Sequence, residues 1–295
     1  MERAQLRSRL RRRSRPRLPG QPQIAGSSRV DLVFATLFAA PETDPELAET
    51  GQSYRTPSEA RLLALAQLGY YRAVGPPIVR TRAALARPGL QAVVLMGAAD
   101  PIETPAQVED WWERGVRIVG PAWDRTRYAG GTHAPGGLTA TGRRLLESMA
   151  AAGMILDLSH LAEQVVEEAM AAWRGPMIAS HSNARALVDG DRQLVDATAA
   201  EVGRRDGVLG VSFYRGHLRA DGARPGLDDV VAHLLHLAAA AGGPEHVGLG
   251  SDCDGGFARV RDLRPLLRHH FSEGQVEGIM SAKWLAFLKR ALPTG

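Results

Sequence analysis

Two short apolar runs that each end in Ser-His constrain this 295-residue chain more than any other feature. Residues 153–160 read GMILDLSH and residues 176–183 read PMIASHSN, and neither run shows the polar alternation of a half-exposed strand. The segment between them, residues 161–173, spaces its apolar residues like a helix. Strand, helix and strand predict a βαβ unit with parallel, neighbouring strands. His160 and His181 should then lie side by side at the carboxyl edge of the sheet, where α/β proteins bind ligands.

A third run of the same shape ends in carboxylates. Residues 246–256 read HVGLGSDCDGG, which predicts a strand at residues 247–250 followed by Asp252. Two imidazoles and a carboxylate at three strand ends suggest a metal hydrolase, in which the carboxylate orients a metal-bound water or takes its proton. Taken singly, a His after a strand is more often a hydrogen-bonded structural residue, and an Asp flanked by Gly is more often a turn residue. Their joint occurrence favours the metal site.

These motifs resemble those of the membrane (renal) dipeptidase-like metallopeptidases, peptidase family M19. Four segments carry the likeness, in the order and spacing of that family: residues 138–143 (LTATGR), 153–160 (GMILDLSH), 179–185 (ASHSNAR) and 247–256 (VGLGSDCDGG). The resemblance covers roughly residues 29–292. It implies an α/β fold, a (β/α)8 TIM-type barrel of the metal-dependent hydrolase kind, and zinc-dependent hydrolysis of small dipeptides.

The resemblance also implies roles for individual residues. His160 and His181 match the two histidines that bind the second zinc of a binuclear centre. Arg192 matches the arginine that binds the substrate carboxylate, a task that suits a planar guanidinium, although a surface arginine would otherwise be the favoured interpretation. Asp252 matches the catalytic carboxylate that handles the proton when a metal-bridging hydroxide attacks the peptide bond.

The chain lacks residues that bind the first zinc ion in the family. The family's first barrel strand ends in His-x-Asp, whereas this sequence has no histidine before His133. The family's bridging glutamate is matched by Gly97, with Asp100 and Glu103 nearby as substitute ligands. Trp123 stands at the place of a loop histidine that steadies the tetrahedral intermediate. We therefore expect one weak or partial zinc site, since catalytic zinc usually keeps three protein ligands.

The same departure predicts a barrel without its first strand, which would leave two unpaired strand edges. A homodimer, or occupation of the gap by residues 1–28, would cover these edges. Three functional hypotheses stay open: a zinc-dependent dipeptidase, a non-catalytic relative that binds small peptides or a partner, and a reading frame with a misassigned start. The missing His-x-Asp pair and glutamate favour the second hypothesis for this chain.

Positive charge is concentrated at the start of the sequence. Eight arginines lie between Arg3 and Arg17 of a chain whose net charge is +4, so we expect residues 1–28 to be a disordered, solvated tail before a single domain at residues 29–295. No aromatic or globular nucleic-acid module accompanies the tail, and we expect no nucleic-acid partner.

No apolar run suits a signal peptide or a membrane span. The single cysteine, Cys253, is expected to be a small buried residue. One cysteine cannot form an internal disulfide, so we expect the chain to be cytoplasmic.

The remaining elements follow from periodicity and helix caps. Residues 123–137 should form a glycine-rich loop over the active face. His233 and His236, on a predicted helix, are expected to be core or surface residues rather than metal ligands. Further predicted strands are residues 29–38, 91–96, 116–120 and 208–214, and further predicted helices are residues 57–71, 105–114, 139–152 and 227–241.

Overall fold

The chain is built around a parallel β-sheet that curls into part of a barrel. The computed structural model describes residues 30–42, 51–252 and 260–295. Its strands are, in chain order, β1 Leu32–Leu37, β2 Ala40–Pro41, β3 Ser53–Tyr54, β4 Gln91–Met96, β5 Val116–Val119, β6 Ala129–Gly131, β7 Ala134–Leu138, β8 Ile155–Asp157, β9 Met177–Ala179, β10 Val208–Val211 and β11 Val247–Leu249. The main sheet has the order β1-β4-β5-β8-β9-β10-β11, and every pair in it is parallel.

The first six helices lie in the connections between the strands, and the last three follow β11. The helices are α1 Pro57–Val74, α2 Val108–Glu113, α3 Ala140–Ala152, α4 Glu163–Ala172, α5 Asp196–Arg204, α6 Leu227–Ala240, α7 Leu263–Leu267, α8 Glu273–Glu277 and α9 Lys283–Ala291. Thr56 begins α1 with a capping box, and Thr139 begins α3 by accepting a hydrogen bond from the Gly142 N–H. α3 ends at Gly153, whose φ of 75° is a left-handed conformation that favours glycine.

The two faces of the sheet pack against different partners, because alternate residues of a strand point to opposite sides. On β4, Val94 and Met96 belong to the core that the sheet shares with α1 to α6, whereas Val93 and Leu95 belong to a second core. That second core also contains Ile118, Ile155, Ile178, Val208, Trp284, Phe287 and Leu288, from β5, β8, β9, β10 and α9. The last helix therefore covers the inner face of the curled sheet.

Trp284 of α9 connects the two edge strands. Its ring lies edge-on to Phe34 of β1, with ring centroids 5.0 Å apart, and its Nε1 donates to the carbonyl oxygen of Leu249 on β11 at 3.0 Å. A Cβ atom at Gly248 would lie only 2.7 Å from Trp284 Nε1, so a glycine is needed there. In the described part of the chain, a side chain rather than an eighth strand thus spans the two edges.

The α/β class and the parallel βαβ unit are confirmed, since β8 and β9 pair in parallel with α4 between them. The described residues place seven strands in the sheet, one fewer than a closed (β/α)8 barrel has. The predicted strand and helix segments are all present, with bounds that differ by a few residues at their ends. The predicted tail at residues 1–28 and Cys253 lie outside the described residues.

One local prediction was wrong. Residues 123–137, expected to be a loop, contain part of the antiparallel hairpin β6-β7. Its glycines allow a close approach of the two strands: a Cβ atom at Gly130 would lie 2.7 Å from the backbone of Gly136. A glycine-rich sequence usually indicates a loop because glycine weakens isolated strands, but here the missing side chains let the backbones pair.

Among the described residues, no helix combines the length and the apolar character that crossing a membrane requires.

Candidate functional site

The two Ser-His motifs meet at the carboxyl edge of the sheet, just after β8 and β9. The rings of His160 and His181 have centroids 4.9 Å apart, and their Nε2 atoms are 2.9 Å apart. His160 has a φ of 69°, a left-handed conformation that costs a residue with a side chain about 1–2 kcal/mol. The structure therefore brings together the two histidines that the sequence predicts to be neighbours.

A chain of hydrogen bonds behind His181 determines which ring nitrogen carries the proton. Asp157, buried at the end of β8, accepts from the backbone N–H groups of Ser159 at 3.0 Å and Ser180 at 2.8 Å. The Ser180 hydroxyl donates to the other carboxylate oxygen at 2.5 Å and lies 2.6 Å from His181 Nδ1. Because the single hydroxyl proton goes to the carboxylate, Ser180 Oγ accepts from Nδ1–H. The Nε2 atom of His181 is left with a lone pair.

Arg192 lies against the ring of His160. Its Nη2 atom is 3.2 Å from His160 Nε2, and because a guanidinium can only donate, a hydrogen bond between them needs the Nε2 lone pair. The ring proton is then on Nδ1, which lies 3.0 Å from the Thr132 hydroxyl. In this tautomer both Nε2 atoms carry lone pairs, the state in which histidine binds a metal ion. The 2.9 Å contact between them is a hydrogen bond when one of the two nitrogens carries the proton instead.

The guanidinium of Arg192 lies in the loop after β9 and is almost fully buried, with 8% of the residue exposed. Nη2 also donates to the carbonyl oxygen of His181 at 2.6 Å, and Nη1 donates to the Ser182 hydroxyl at 2.9 Å. The Nε atom is buried and has no hydrogen-bond partner among the described residues. A buried guanidinium with an unused donor is suited to bind a carboxylate.

Burial and the charge of Arg192 keep both imidazoles neutral. Burial lowers the pKa of His181 to about 3, and Arg192 acts in the same direction. The pKa of His160 is lowered well below its ordinary value, first by burial and then by Arg192. Burial lowers the pKa of Arg192 itself to about 10, which leaves the guanidinium charged at neutral pH.

Asp252 follows β11 and has a φ of 49°, also in the left-handed region. Burial of its carboxyl group raises the pKa of Asp252. The charge of Arg192 and a hydrogen bond with the Ser212 side chain act in the opposite direction. The residue nevertheless keeps an exposed surface. A carboxylate with a raised pKa beside a polar site is a candidate for proton transfer, and this role of Asp252 stays a prediction.

Asn183 joins the loops that carry these residues, a role that the sequence did not reveal. Its Oδ1 accepts from the Ser212 N–H at 2.8 Å, and its Nδ2 donates to the carbonyl oxygens of Ser212 and His217 at 3.2 and 3.0 Å. Its backbone N–H donates to the Gln193 side chain at 3.1 Å. The loop after β9 and the loop after β10 are thus held together. Asn183 is part of the SHSN motif, but its partner Ser212 is 29 residues away.

His217 is a third imidazole that sequence reasoning missed. Burial lowers its pKa to about 3, and the charges of Arg192 and His181 contribute in the same direction. Its Nδ1 lies 3.4 Å from the Ser212 hydroxyl, and its ring packs against Tyr214 with centroids 4.8 Å apart. No spacing in the sequence distinguished His217 from an ordinary loop histidine.

The two predicted substitute ligands have other partners. The Asp100 carboxylate accepts from the Arg127 N–H at 3.2 Å, from Arg127 Nε at 3.1 Å and from the Tyr54 hydroxyl. The Glu103 carboxylate accepts from the Ser58 hydroxyl at 2.6 Å. Neither carboxylate is joined to the histidine pair by a hydrogen bond in the described residues, so the geometry gives no support to a role as metal ligand.

Two further positions of the family resemblance can be placed. Gly97 follows β4, where a Cβ atom would lie 3.3 Å from the Thr36 methyl group. The ring of Trp123 lies 5.5 Å from that of His160, and the ring of His133 lies 6.4 Å from that of Trp123. An indole rather than an imidazole therefore borders the histidine pair on this side.

The histidine pair could supply part of the ligand set that a zinc ion needs. Within residues 30–42, 51–252 and 260–295, no three His, Cys, Asp or Glu side chains are grouped to hold a metal ion. The histidine pair supplies two nitrogen lone pairs, whereas a catalytic zinc usually has three protein ligands. The described residues therefore offer two of the three protein ligands that a catalytic zinc ion would need.

Comparison with known proteins identifies the family. A family model described as membrane dipeptidase (peptidase family M19) matches residues 28–286. The chain belongs to peptidase family M19. An uncharacterized dipeptidase of Schizosaccharomyces pombe is 34% identical over 166 residues, which are 52% of this chain and 40% of that protein. Dipeptidase tcpJ of Claviceps purpurea is 34% identical over 133 residues, or 45% of this chain and 31% of that protein. The chain thus spans about half or less of these relatives' length.

Solved structures of M19 peptidases share the fold. A metallo peptidase from Rhodobacter sphaeroides, bound to a phosphinate mimic of the dipeptide L-Ala-D-Ala, matches with a TM-score of 0.76 and 26% identity. The match covers 88% of this chain and 86% of that one. A structure described as dipeptidase AC, a metallo peptidase of family M19, gives a TM-score of 0.77 and 26% identity, with 88% and 85% of the two chains covered. The predicted family is therefore confirmed.

Proposed function

We propose that this M19 protein hydrolyses the peptide bond of small dipeptides with the help of a zinc ion. One observation supports the proposal above all: the Nε2 atoms of His160 and His181 lie 2.9 Å apart beside the buried guanidinium of Arg192. Together these groups provide a cation site next to a carboxylate site, which are the two features a metallodipeptidase needs. Membership of the family supports the reaction class.

Each residue has a proposed task. Arg192 binds the substrate's terminal carboxylate, and its unpartnered Nε provides a free donor for it. His160 and His181 would hold one zinc, which supplies Lewis acidity when bound. Asp252, whose pKa is raised by its surroundings, takes a proton from the attacking water and delivers it to the leaving amine nitrogen as the C–N bond breaks. The hydrogen bonds of Asp157 and Ser180 keep the His181 proton on Nδ1.

A second candidate function is binding of dipeptides without hydrolysis. It is favoured by Gly97, which stands at the position of the family's bridging glutamate, and by the engagement of Asp100 with Arg127 and Tyr54. With two protein ligands the zinc would be bound weakly, whereas the Arg192 guanidinium is already held in place by the Ser182 hydroxyl and the His181 carbonyl oxygen. This candidate predicts affinity for dipeptides with no turnover.

Hydrolysis of a panel of dipeptides by the full chain, with and without added zinc, tests the first proposal. The His181→Ala variant is the test of the site, and His236→Ala, which removes a surface histidine paired with Asp196, is the matched control. Zinc-dependent turnover that is lost in His181→Ala and kept in His236→Ala supports hydrolysis at this site. Absence of turnover at saturating zinc contradicts it.

Calorimetric titration with the same dipeptides separates the second candidate from an inert site. Binding without turnover, lost in Arg192→Met, supports a binding protein. Absence of both binding and turnover contradicts both candidate functions.

A further inference from the structure

Three of the five hydrogens of the Arg192 guanidinium have partners among the described residues, and the way they are used links the two halves of the site. Nη2 has two hydrogens, and it contacts the carbonyl oxygen of His181 at 2.6 Å and Nε2 of His160 at 3.2 Å. Nη1 donates to the Ser182 hydroxyl at 2.9 Å. Nε has no partner among the described residues. Both hydrogens of Nη2 are therefore engaged with the histidine motifs.

A carboxylate that is bound through two parallel hydrogen bonds can use the Nε and Nη2 edge of a guanidinium. Nε is unpartnered, but Nη2 must first give up one of its two contacts. The contact with His160 Nε2 is the longer one, at 3.2 Å against 2.6 Å for the His181 carbonyl. A carboxylate that binds this edge would thus release the lone pair of His160.

A divalent cation needs the same lone pair, since a histidine can bind a metal ion only through an unprotonated nitrogen that is not already accepting a hydrogen bond. The guanidinium also repels a second cation at this short range, and the repulsion is strong in a buried site. Arg192 in its present position therefore opposes metal binding in two ways.

We propose that the Arg192 guanidinium and a divalent metal ion compete for Nε2 of His160, so that carboxylate binding at Arg192 and zinc binding at the histidine pair strengthen each other. This rests on the proposed function only for the identities of the two ligands. Because such coupling is reciprocal, zinc tightens carboxylate binding by the same factor as the carboxylate tightens zinc binding. Couplings of this kind are commonly about 5- to 150-fold.

Zinc affinity of the full chain, measured by competition with a chromophoric chelator, tests the coupling without any turnover. The carboxylate probe is N-acetylalanine, and the matched control is N-acetylalaninamide, which has the same shape but no carboxylate. In the wild-type protein, N-acetylalanine should tighten zinc binding by about fivefold or more, and the amide should have no effect. Equal zinc affinity with both compounds overturns the proposal.

A variant pair isolates Arg192. Arg192→Met should bind zinc about tenfold more tightly than the wild type and should lose the response to N-acetylalanine. Arg185→Met is the control, because it removes a charge from the same loop, and Arg185 is paired with Glu163 and Asp191 rather than with the histidines. If Arg192→Met binds zinc no more tightly than the wild type, or keeps the carboxylate response, the competition does not exist.

Should Arg192→Met fail to fold, the comparison of the two compounds on the wild-type protein still decides. The outcome is also independent of hydrolysis. Coupling without turnover would contradict the dipeptidase proposal alone, whereas turnover without coupling would contradict the competition alone.

Discussion

Replacing Asp157 by asparagine should move the ring proton of His181. In the wild type, the Asp157 carboxylate accepts three hydrogen bonds, two from backbone N–H groups and one from the Ser180 hydroxyl. In Asp157→Asn, the amide oxygen can keep the two N–H donors, but the amide nitrogen then donates to Ser180 Oγ. The Ser180 hydroxyl must turn its proton toward His181 Nδ1, which lies 2.6 Å away. The ring proton of His181 then moves to Nε2, and its lone pair is lost.

Two magnitudes follow from this rearrangement. Zinc affinity should fall about 10- to 100-fold, as is usual when the partner that orients a histidine ligand is removed. The free energy of unfolding should fall by about 1–3 kcal/mol, because bonds to a buried carboxylate become bonds to a neutral amide. The side chain is 2% exposed, so solvent cannot replace the lost interaction.

Three measurements check this prediction: competition for zinc with a chelator, urea denaturation, and 15N NMR of the histidine ring nitrogens. Asp191→Asn, at an exposed residue of the loop after β9, is the control and should leave zinc affinity unchanged. A folded Asp157→Asn protein with the zinc affinity of the wild type, or with the His181 proton still on Nδ1, would refute the hydrogen-bond assignment.

Three further predictions concern packing, pH and the missing carboxylate. Trp284→Ala should lower the free energy of unfolding by about 3–5 kcal/mol in urea denaturation, because it removes the side chain that joins the edge strands, whereas Leu62→Ala, at a residue 66% exposed, should change it by about 0.5 kcal/mol or less. Burial lowers the pKa of His233 from 6.5 to about 4, so the unfolded chain binds the extra proton between these values and stability should fall with falling pH by up to about 3 kcal/mol. His233→Gln should remove this part of the pH dependence in denaturation curves recorded across that range, and His236→Gln should not. Gly97→Glu should raise zinc affinity about tenfold by adding a carboxylate after β4, and an unchanged affinity would mean that position 97 does not face the histidines.

Local sequence patterns were sufficient for most of the fold. The run that became β4 was predicted over residues 91–96, and all six of its residues are buried in the structure. Thr56 and Thr139 cap α1 and α3 through their side-chain hydroxyls. Such features depend on residues that are close in sequence, so periodicity and cap chemistry could identify them. The glycine-rich hairpin was not predicted, because its strands pair through a close approach of their backbones that amino-acid composition does not indicate.

Some features of the candidate site were likewise predictable from the sequence, and others were not. The two apolar runs were enough to predict that His160 and His181 are neighbours, since each ends a strand of one βαβ unit and parallel strands end at the same edge. The sequence also indicated Arg192 and Asp252 through the family resemblance, although their chemical roles are still predictions.

The interactions of these groups depend on contacts between distant parts of the chain. The tertiary structure gave Asn183 its contacts with Ser212, gave Asp100 its partners Arg127 and Tyr54, and placed Trp284 between the two edge strands. It also brought the Arg192 guanidinium to within 3.2 Å of His160 Nε2. The physical reason is common to all four: a hydrogen bond or a packing contact depends on distances of a few ångströms between residues far apart in the chain, and such distances exist only after the sheet has curled and its loops have met.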